Sequence, residues 1–359
     1  MSEKAIIAMS GGVDSSVAAY LAKQAGYTCI GVTMKLFANT DIGVSRAHSC
    51  CSLDDVEDAR SVAKQLGMPY YVFNFADRFE QTVIKRFIHD YENGRTPNPC
   101  IDCNRYLKFE KLYRRAQELD CSYVVTGHYA RIEKNGDRFL LKRGLDPAKD
   151  QSYVLYAMTQ QQLSHTLFPL GSMQKEAVRA LATSLQFCND RKPDSQDICF
   201  VPQGKYADFI TNYTGKTYPT GSFVDTSGNV LGEHRGIIRY TVGQRKGLGL
   251  ALPQPLYVCN INAEENKVVL GPSDSLYARK LTACDVNLIS VPSLPHPMRV
   301  HAKVRYRQAE QPATAVQSAD GLLHVSFDTP QRAITKGQAV VLYDGDIVVG
   351  GGTICEVGT

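Results

Sequence analysis

No window of the chain approaches the ~18 to 20 consecutive apolar residues that a bilayer span requires. The start, MSEKAIIAMSGG, offers only AIIAM before glycines intervene. It lacks the longer apolar region and cleavage site of a secretory signal. Excess charge of one sign is scarce as well, since 40 Lys+Arg stand against 36 Asp+Glu for a net of +4. An anionic partner is permitted but not demanded, so a nucleic-acid role has to rest on local clusters. Internal repeats and low-complexity segments are missing, which excludes solenoids and disordered arrays. The cysteine count is eleven, an odd number in a long chain without an export signal, so a disulfide framework is not expected. The chain reads as cytosolic, with no membrane attachment.

What is present is ordinary globular composition, 43% hydrophobic and 21% charged, over 359 residues, enough for two or three domains. The first third alternates βα. KAIIAM is a strand, SGGVDSS a glycine turn and VAAYLAKQAG a helix. YTCIGVTMKL, LDDVEDARSVAKQLG, PYYVFNF and DRFEQTVIKRFIHDYENG continue the alternation, and a helix near 106–119 leads to SYVVTGHYA. Such spacing predicts a doubly wound parallel sheet. RIEKNGDRFLLKRG reads as a hairpin on Asn135-Gly136, and QKEAVRALATSLQF as a helix capped by Ser172. Past about residue 210, short strands and glycines dominate, among them IIRYTVGQRKGLG, LYVCNINAEENKVVLG, VHAKVRYRQ and QAVVLYDGDIVVGGGTI. The expected division is an α/β domain at 1–210, a small central β-rich domain at 211–280 and a C-terminal antiparallel β-barrel-like domain at 281–359.

Cys29, Cys259 and Cys355 lie in apolar runs and read as small buried hydrophobes. Cys50, Cys51, Cys100, Cys103 and Cys199 lie in polar or turn-rich settings and are the candidates for chemistry. Cys100-x-x-Cys103, within TPNPCIDCNR, admits half a zinc site, a redox pair or a single reactive thiol. Zinc would want a second pair, and no other Cys-x-x-Cys exists. A redox pair belongs at a helix start after a strand, whereas this motif follows the turn-forming TPNP. Arg239-Tyr240, Gln244-Arg245-Lys246 and residues 299–307 mix cations with Tyr in the β-rich half. Cations there would meet phosphates, and Tyr or Arg planes would stack on splayed bases.

Ser10-Gly11-Gly12-Val13-Asp14-Ser15-Ser16 falls between the first strand and first helix, where an open parallel sheet presents its ligand crevice. Glycines let backbone approach phosphate oxygens, and N–H groups at the helix start point toward the anion. Ser15 and Ser16 are expected hydroxyl donors, and Asp14 a ligand for Mg²⁺ bridging phosphates. The Gly-Lys-Ser/Thr ending of a P-loop is lacking. The string resembles the PP-loop ATP pyrophosphatases, which adenylate an oxygen and release pyrophosphate and include GMP synthetase and several tRNA-modifying enzymes. That resemblance implies a PP-loop, HUP-like fold for the first domain.

Four further strings sharpen the resemblance: TPNPCIDCNR at 96–105, TGHYAR at 126–131, KDQSYVLY at 149–156 and DSQDICF at 194–200. With SGGVDSS, and with RYRQ at 305–308 marking its reach toward the last strands, they make the chain similar to the tRNA 2-thiouridylase family essentially throughout. The resemblance implies an ATP-dependent sulfurtransferase that replaces the C2 oxygen of a wobble uridine with sulfur. Cys199 would carry a persulfide received from a sulfur carrier or cysteine desulfurase. Cys103 would be the nucleophile, ending disulfide-bonded to Cys199, so a mobile segment around Cys199 is expected. Ala8, Met9, Ser10, Gly11, Gly12, Val13, Asp14 and Ser15, with Met34 and Gly127, match the ATP site, with Mg²⁺ accompanying ATP. Asn98, Pro99 and Cys100 match the strip facing the target base. His128, Lys149, Asp150, Gln151, Arg305, Tyr306 and Gln338 match tRNA-contacting positions. No structural metal is expected. Where Cys100 stands, some members carry an Asp with acid/base work, so that role is unassigned here. Two readings compete: a PP-loop ligase amidating a small metabolite, and a non-catalytic RNA-binding protein with zinc at Cys100/Cys103.

Overall fold

A computed structural model of the chain describes residues 2–37, 53–194, 198–201, 205–251 and 254–358. Cys50 and Cys51, two of the five candidate thiols, lie outside the described residues. The chain divides into two compact units: Met1–Val83, Cys100–Gly204 and Asp346–Val348 form one, and Ile84–Pro99, Lys205–Gly345 and Val349–Thr359 the other.

The first unit is built on strands β1 (Lys4–Ala8), β2 (Thr28–Lys35), β3 (Tyr70–Asn74), β4 (Tyr123–Val125) and β7 (Thr166–Leu167). Their order is β3-β2-β1-β4-β7, and every pairing is parallel, as the βα alternation predicts. Helices α1 (Val13–Gln24) and α2 (Leu53–Gln65) follow β1 and β2. After β3 come α3 (Ala76–Phe79), a π-helical turn at Glu80–Ile84, and α4 (Lys85–Glu92), which belongs to the second unit. The next helix starts earlier than 106. It runs as α5 (Pro99–Asp102), a π-helical stretch Cys103–Lys111, and α6 (Leu112–Glu118). Pro99 has no N–H to lose and its φ is pre-set, so TPNP leads directly into a helix. Cys-x-x-Cys therefore does occupy a helix start, against the objection drawn from the turn, although a helix and not a strand precedes it.

The hairpin β5 (Ala130–Asn135) and β6 (Arg138–Arg143) turns on Gly136 and Asp137, one residue later than Asn135-Gly136, because Gly136 takes the left-handed φ of +58°. Short helices α7 (Ser152–Leu155) and α8 (Gln160–Ser164) precede β7, and α9 (Lys175–Ser184) follows it. Ser172 does not cap α9. The N-cap is Gln174 without a side-chain bond, and Asp146 Oδ2 instead accepts from the Lys175 backbone N–H at 3.0 Å. The unit's core packs Val17, Ala18 and Ala19 of α1 and Ala59, Val62 and Ala63 of α2 against the central strands.

The second unit holds α10 (Tyr206–Thr214) and a four-stranded sheet ordered β10 (Tyr257–Asn262), β11 (Lys267–Gly271), β8 (Gly221–Val224), β9 (Val230–His234). It also holds strands β12 (Tyr277–Leu288), β13 (Met298–Lys303), β14 (Gln311–Gln317), β15 (Leu323–Arg332), β16 (Ala339–Asp344) and the 349–358 part of β17 (Ile347–Gly358). Their order is β12-β15-β14-β13-β16-β17, and antiparallel pairing of β12 with β17 closes the barrel around Val300, Ala313, Val325 and Val340. IIRYTVGQRKGLG is not a strand. It forms one 3₁₀ turn, Ile237–Arg239, then turns in which Gly243, Gly247 and Gly249 have φ of +91°, +78° and +74°. Of the three cysteines read as buried, Cys29 is buried, while Cys259 and Cys355 are half-buried.

Candidate active site

The strand order reverses between β1 and β4 while the strands stay parallel, so the loops leaving those two strands meet at the sheet's carboxyl edge. After β1, Gly11 has φ +75°, and a Cβ there would lie 2.3 Å from the Asp55 carbonyl oxygen, so only glycine fits. Gly12 is the N-cap of α1 and supplies no side-chain bond to its first turn. After β4, a Cβ on Gly127 would stand 2.7 Å from the Asp14 carbonyl carbon and 2.8 Å from the Ser15 nitrogen, so these two loops press backbone to backbone. Glycines on both sides of an α1 N-terminus without a side-chain cap fit a phosphate chain, which needs close backbone approach and N–H donors.

The serines differ from expectation. Ser15 and Ser16 are buried in the first turns of α1, and both hydroxyls donate back to the Gly12 carbonyl, at 3.0 and 3.1 Å. Ser15 Oγ also accepts from the Ser10 backbone N–H at 3.2 Å. They brace the loop rather than reach from it. Asn189 Nδ2 adds donations to Gly11 O at 2.9 Å and Ser16 Oγ at 3.0 Å.

Asp14 is tied into an ionic cluster. Its carboxylate accepts from Tyr129 Oη at 2.8 Å and from Lys175 Nζ at 2.7 and 2.9 Å. The same ammonium lies 2.7 Å from Asp194 Oδ1. Asp194, the head of DSQDICF, also accepts from Lys149 Nζ and Arg179 Nη2, each at 2.8 Å. Burial alone would raise the Asp194 carboxyl, but the hydrogen-bonded Lys149 and Lys175 outweigh it and bring it down to about 2. Burial, reinforced by neighbouring Asp14, pushes the Tyr129 phenol far up, so it stays a donor. Thus Asp14, Lys149 and Asp194, from three separate strings, converge on one cluster within the first unit.

The thiols lie in the same unit. Cys103 is half-buried where the π-helical stretch begins, and next to it Asn104 Nδ2 donates to Val154 O at 3.1 Å. Cys199 is half-buried in a turn whose next residue, Phe200, is 1% exposed and meets Phe79 edge-on at 5.5 Å. Residues 195–197 and 202–204, which flank that turn and on which the expected mobility falls, lie outside the described residues. Cys100 is exposed. Met34 is half-buried on β2.

Several positions matched to RNA contact are engaged within the protein. His128 is 7% exposed, bonds Thr126 Oγ1 through Nδ1 at 2.7 Å and faces Lys108 Nζ at 3.5 Å from Nε2. Burial, then the Lys108 charge, holds it well below the usual imidazole range, so it is neutral. Asp150 accepts from the backbone N–H of Gly144 and Ser152, and Gln151 Oε1 from that of Tyr129. In the second unit, Arg305 Nη2 donates to Ala333 O at 2.7 Å and Thr335 Oγ1 at 2.9 Å, while Tyr306 is exposed. Gln338 Nε2 donates to Thr96 O and Pro97 O at 2.8 and 3.2 Å, and Thr96 N–H donates to Lys336 O, so Gln338 holds the turn that carries Asn98 and Pro99. Tyr240 is 3% exposed within a Phe223–His234 ring cluster and has no free face for a base. Arg245 and Lys246 are exposed.

Sequence reasoning missed Lys175, Tyr129, Arg179 and Asn189. One signal pointed to Lys175: a cation in the first turn of a helix opposes the macrodipole and calls for carboxylates nearby.

Family models match in three consecutive pieces: a tRNA methyl transferase HUP domain at residues 3–203, a tRNA methyl transferase PRC-barrel domain at 207–272, and an aminomethyltransferase β-barrel domain at 278–354. The tRNA-specific 2-thiouridylase MnmA of Clostridioides difficile strain 630 is 51% identical over 99% of this chain and 98% of that protein. The chain belongs to the MnmA family. The MnmA of Acetivibrio thermocellus is 54% identical over 98% of this chain and 99% of that protein. Solved structures overlap loosely; a 4-thiouridine synthetase–RNA complex with bound ATP covers 59% of this chain and 50% of that one at 18% identity and TM-score 0.40. The three matched pieces agree with the order of parallel sheet, small β domain and closed barrel. Among the described residues, no helix is long and apolar enough to cross a membrane.

Proposed function

We propose that the protein is an ATP-dependent tRNA sulfurtransferase that converts a wobble uridine to 2-thiouridine. Full-length identity to MnmA proteins supports the reaction class. One observation carries the chemistry: the glycine-lined loop at Gly11 and Gly12 and the half-buried thiols of Cys103 and Cys199 belong to one compact unit.

ATP, held by residues 8–15 with Met34 and Gly127 and accompanied by Mg²⁺, supplies the adenylate that makes the uracil C2 oxygen a leaving group. In that transfer the oxygen attacks the α-phosphorus and pyrophosphate departs. Cys199 bears the incoming sulfur as a persulfide, delivered by a sulfur carrier or cysteine desulfurase. The sulfane sulfur adds at C2 and AMP leaves. The Cys103 thiolate attacks the Cys199 sulfur, so two thiols become one disulfide and supply the two electrons that sulfane sulfur needs. An external dithiol, or two thiols in turn, then reduces the disulfide to the two free thiols. Exposed Cys100, at the start of its helix with Asn98 and Pro99 just before it, faces the target base. Lys149, Asp150, Gln151 and His128 in the first unit, and Arg305, Tyr306 and Gln338 in the second, serve tRNA contact; Asp150, Gln151 and Gln338 do so by holding backbone.

The test combines purified protein, ATP, Mg²⁺, a persulfide donor and unmodified tRNA, with nucleoside mass spectrometry as readout. We expect 2-thiouridine from the wild type and none from Cys103→Ala or Cys199→Ala, with tRNA binding retained in both. Normal sulfur incorporation by either variant would sink the two-thiol scheme.

A further inference from the structure

We propose that Cys284 and Cys355, on the seam that closes the C-terminal barrel, form a dithiol site that a low-molecular-weight disulfide converts to an intramolecular cystine. The site stays within the second unit and does not depend on the sulfur-transfer reading. β12 and β17 pair antiparallel, with Ala283 opposite Ile354 and Cys284 opposite Thr353. Leu281 and Ala283 of β12 and Ile354 of β17 belong to the barrel core, so by alternation Thr282 and Cys284 face outward. On β17 the ladder passes from Ile354 to Glu356 while β12 steps only from Ala283 to Thr282, which makes Cys355 the extra residue of a bulge. Cys355 Sγ donates to Thr282 O at 3.3 Å, and the Cys284 side chain is hydrogen-bonded to that of Cys355. Both are half-buried free thiols, so a small reagent reaches them.

The ladder is interrupted on both sides of these residues. Beyond Cys284, Asp285 and Val286 stand against the single Gly352, and Asp285 takes a left-handed φ of +50°. A Cβ on Gly352 would lie 2.9 Å from the Cys284 carbonyl oxygen, so the two strands approach closely there. Two ladder pairs, Ala283–Ile354 and Cys284–Thr353, are thus left between irregularities. A covalent link at this point holds what the backbone ladder holds poorly. It closes a loop of about 70 residues, long enough for a cross-link to remove much freedom from the unfolded chain. Burial, then the neighbouring Cys284, pushes the Cys355 thiol up. Cys355 therefore keeps its proton longer, and Cys284 attacks first. The Cys284 thiolate displaces one thiolate from the small disulfide and forms a mixed disulfide. Cys355 then gives up its proton, attacks the Cys284 sulfur and displaces the second thiolate. The two protein thiols lose two electrons and two protons; the small disulfide takes up both and leaves as two thiols.

Cys29 and Cys121, buried in the first unit, supply the contrast of thiols the reagent does not reach. The experiment equilibrates the full-length protein with oxidised glutathione, quenches with iodoacetamide in denaturant, and maps tryptic peptides by mass spectrometry. Cleavage after Lys280, Arg299 and Lys336 puts Cys284 and Cys355 in peptides 281–299 and 337–359, each with one cysteine. We expect these two peptides joined as the main product of the pair, and separated again by excess dithiol, with Cys29 and Cys121 recovered alkylated. Cys355→Ser should stop at glutathione on Cys284. Cys284→Ser should carry at least about threefold less glutathione on Cys355. In the joined protein, hydrogen exchange of the amides at 281–288 and 349–358 should slow by at least about threefold against the reduced protein. Both variants keep Cys103 and Cys199 and should show no such slowing. Absence of the joined peptide, whether the two thiols stay free or each carries glutathione, overturns the site. A joined peptide with unchanged exchange along β12 and β17 overturns the reinforcement of the seam.

Discussion

Two charged sites, one in each unit, show how differently the same groups are used. On the barrel, Arg299 pairs with Asp328 through two bonds of 2.7 and 2.9 Å, with side chains 63% and 46% exposed. Beside the glycine loop at Gly11 and Gly12, Lys175 makes bonds of similar length at 8% exposure. Length does not distinguish them; desolvation does. Water screens the first pair and would solvate either partner left alone. In the cluster a removed partner leaves behind a charge that water reaches only in part, Lys175 at 8% and Asp14 and Asp194 at 31% and 27% exposure, so each member helps to enforce the placement of the others.

The sharpest way to break this comparison is to cut the same atoms from both sites. Lys175→Met should cost about 1.5 to 3 kcal/mol in denaturant unfolding, because Asp14 and Asp194, 31% and 27% exposed, lose their shared cation while Asp194 keeps Lys149 and Arg179. Arg299→Met should change stability by no more than about 0.5 kcal/mol. Equal costs would show that burial is not what separates the sites. Between these extremes comes a neutral tether: Gln338→Ala removes two donations to the turn at 96–97 and should cost about 1 kcal/mol by the same unfolding assay. Acid titration adds a similar increment. Asp194 sits at about 2 in the folded protein against an ordinary 3.8. A depressed carboxyl stabilises fully above its unfolded value, and that contribution fades as pH falls from about 4 toward 2. Asp194→Asn should therefore flatten the acid limb of the stability curve by on the order of 1 kcal/mol, its partial exposure included. The smallest effect is salt: molar NaCl should erase any measurable contribution of Arg299–Asp328 and leave the Lys175 cluster nearly unchanged in double-mutant cycles.

Much of the first unit was legible because its signals are local. The βα alternation, the glycines at 11 and 12, and the strings around Cys103 and Cys199 each sit within a dozen residues. Readings failed where a distant residue supplied what a near one was expected to give. Ser172 was an acceptable cap by position, but Asp146, 29 residues before Lys175, took the N–H. Ser15 and Ser16 carry the right atoms, yet the helix begins at Val13 and turns their hydroxyls onto Gly12. Residues 237–249 looked like strand by alternation, but glycines at left-handed φ break the ladder. Lys175 itself could be suspected from its helix position, while its partners Asp14 and Asp194 are set only by tertiary folding.

The Gln338 tether has a consequence for the order in which the molecule is completed. The carbonyls it holds, on Thr96 and Pro97, precede it by 242 and 241 residues. At synthesis rates of roughly 5 to 20 residues per second, those carbonyls wait roughly 12 to 50 s on the ribosome for their donor. The turn leading into the Cys100 helix is therefore among the last features to be finished, and nascent chains that lack the final strands carry both thiols before that turn is set.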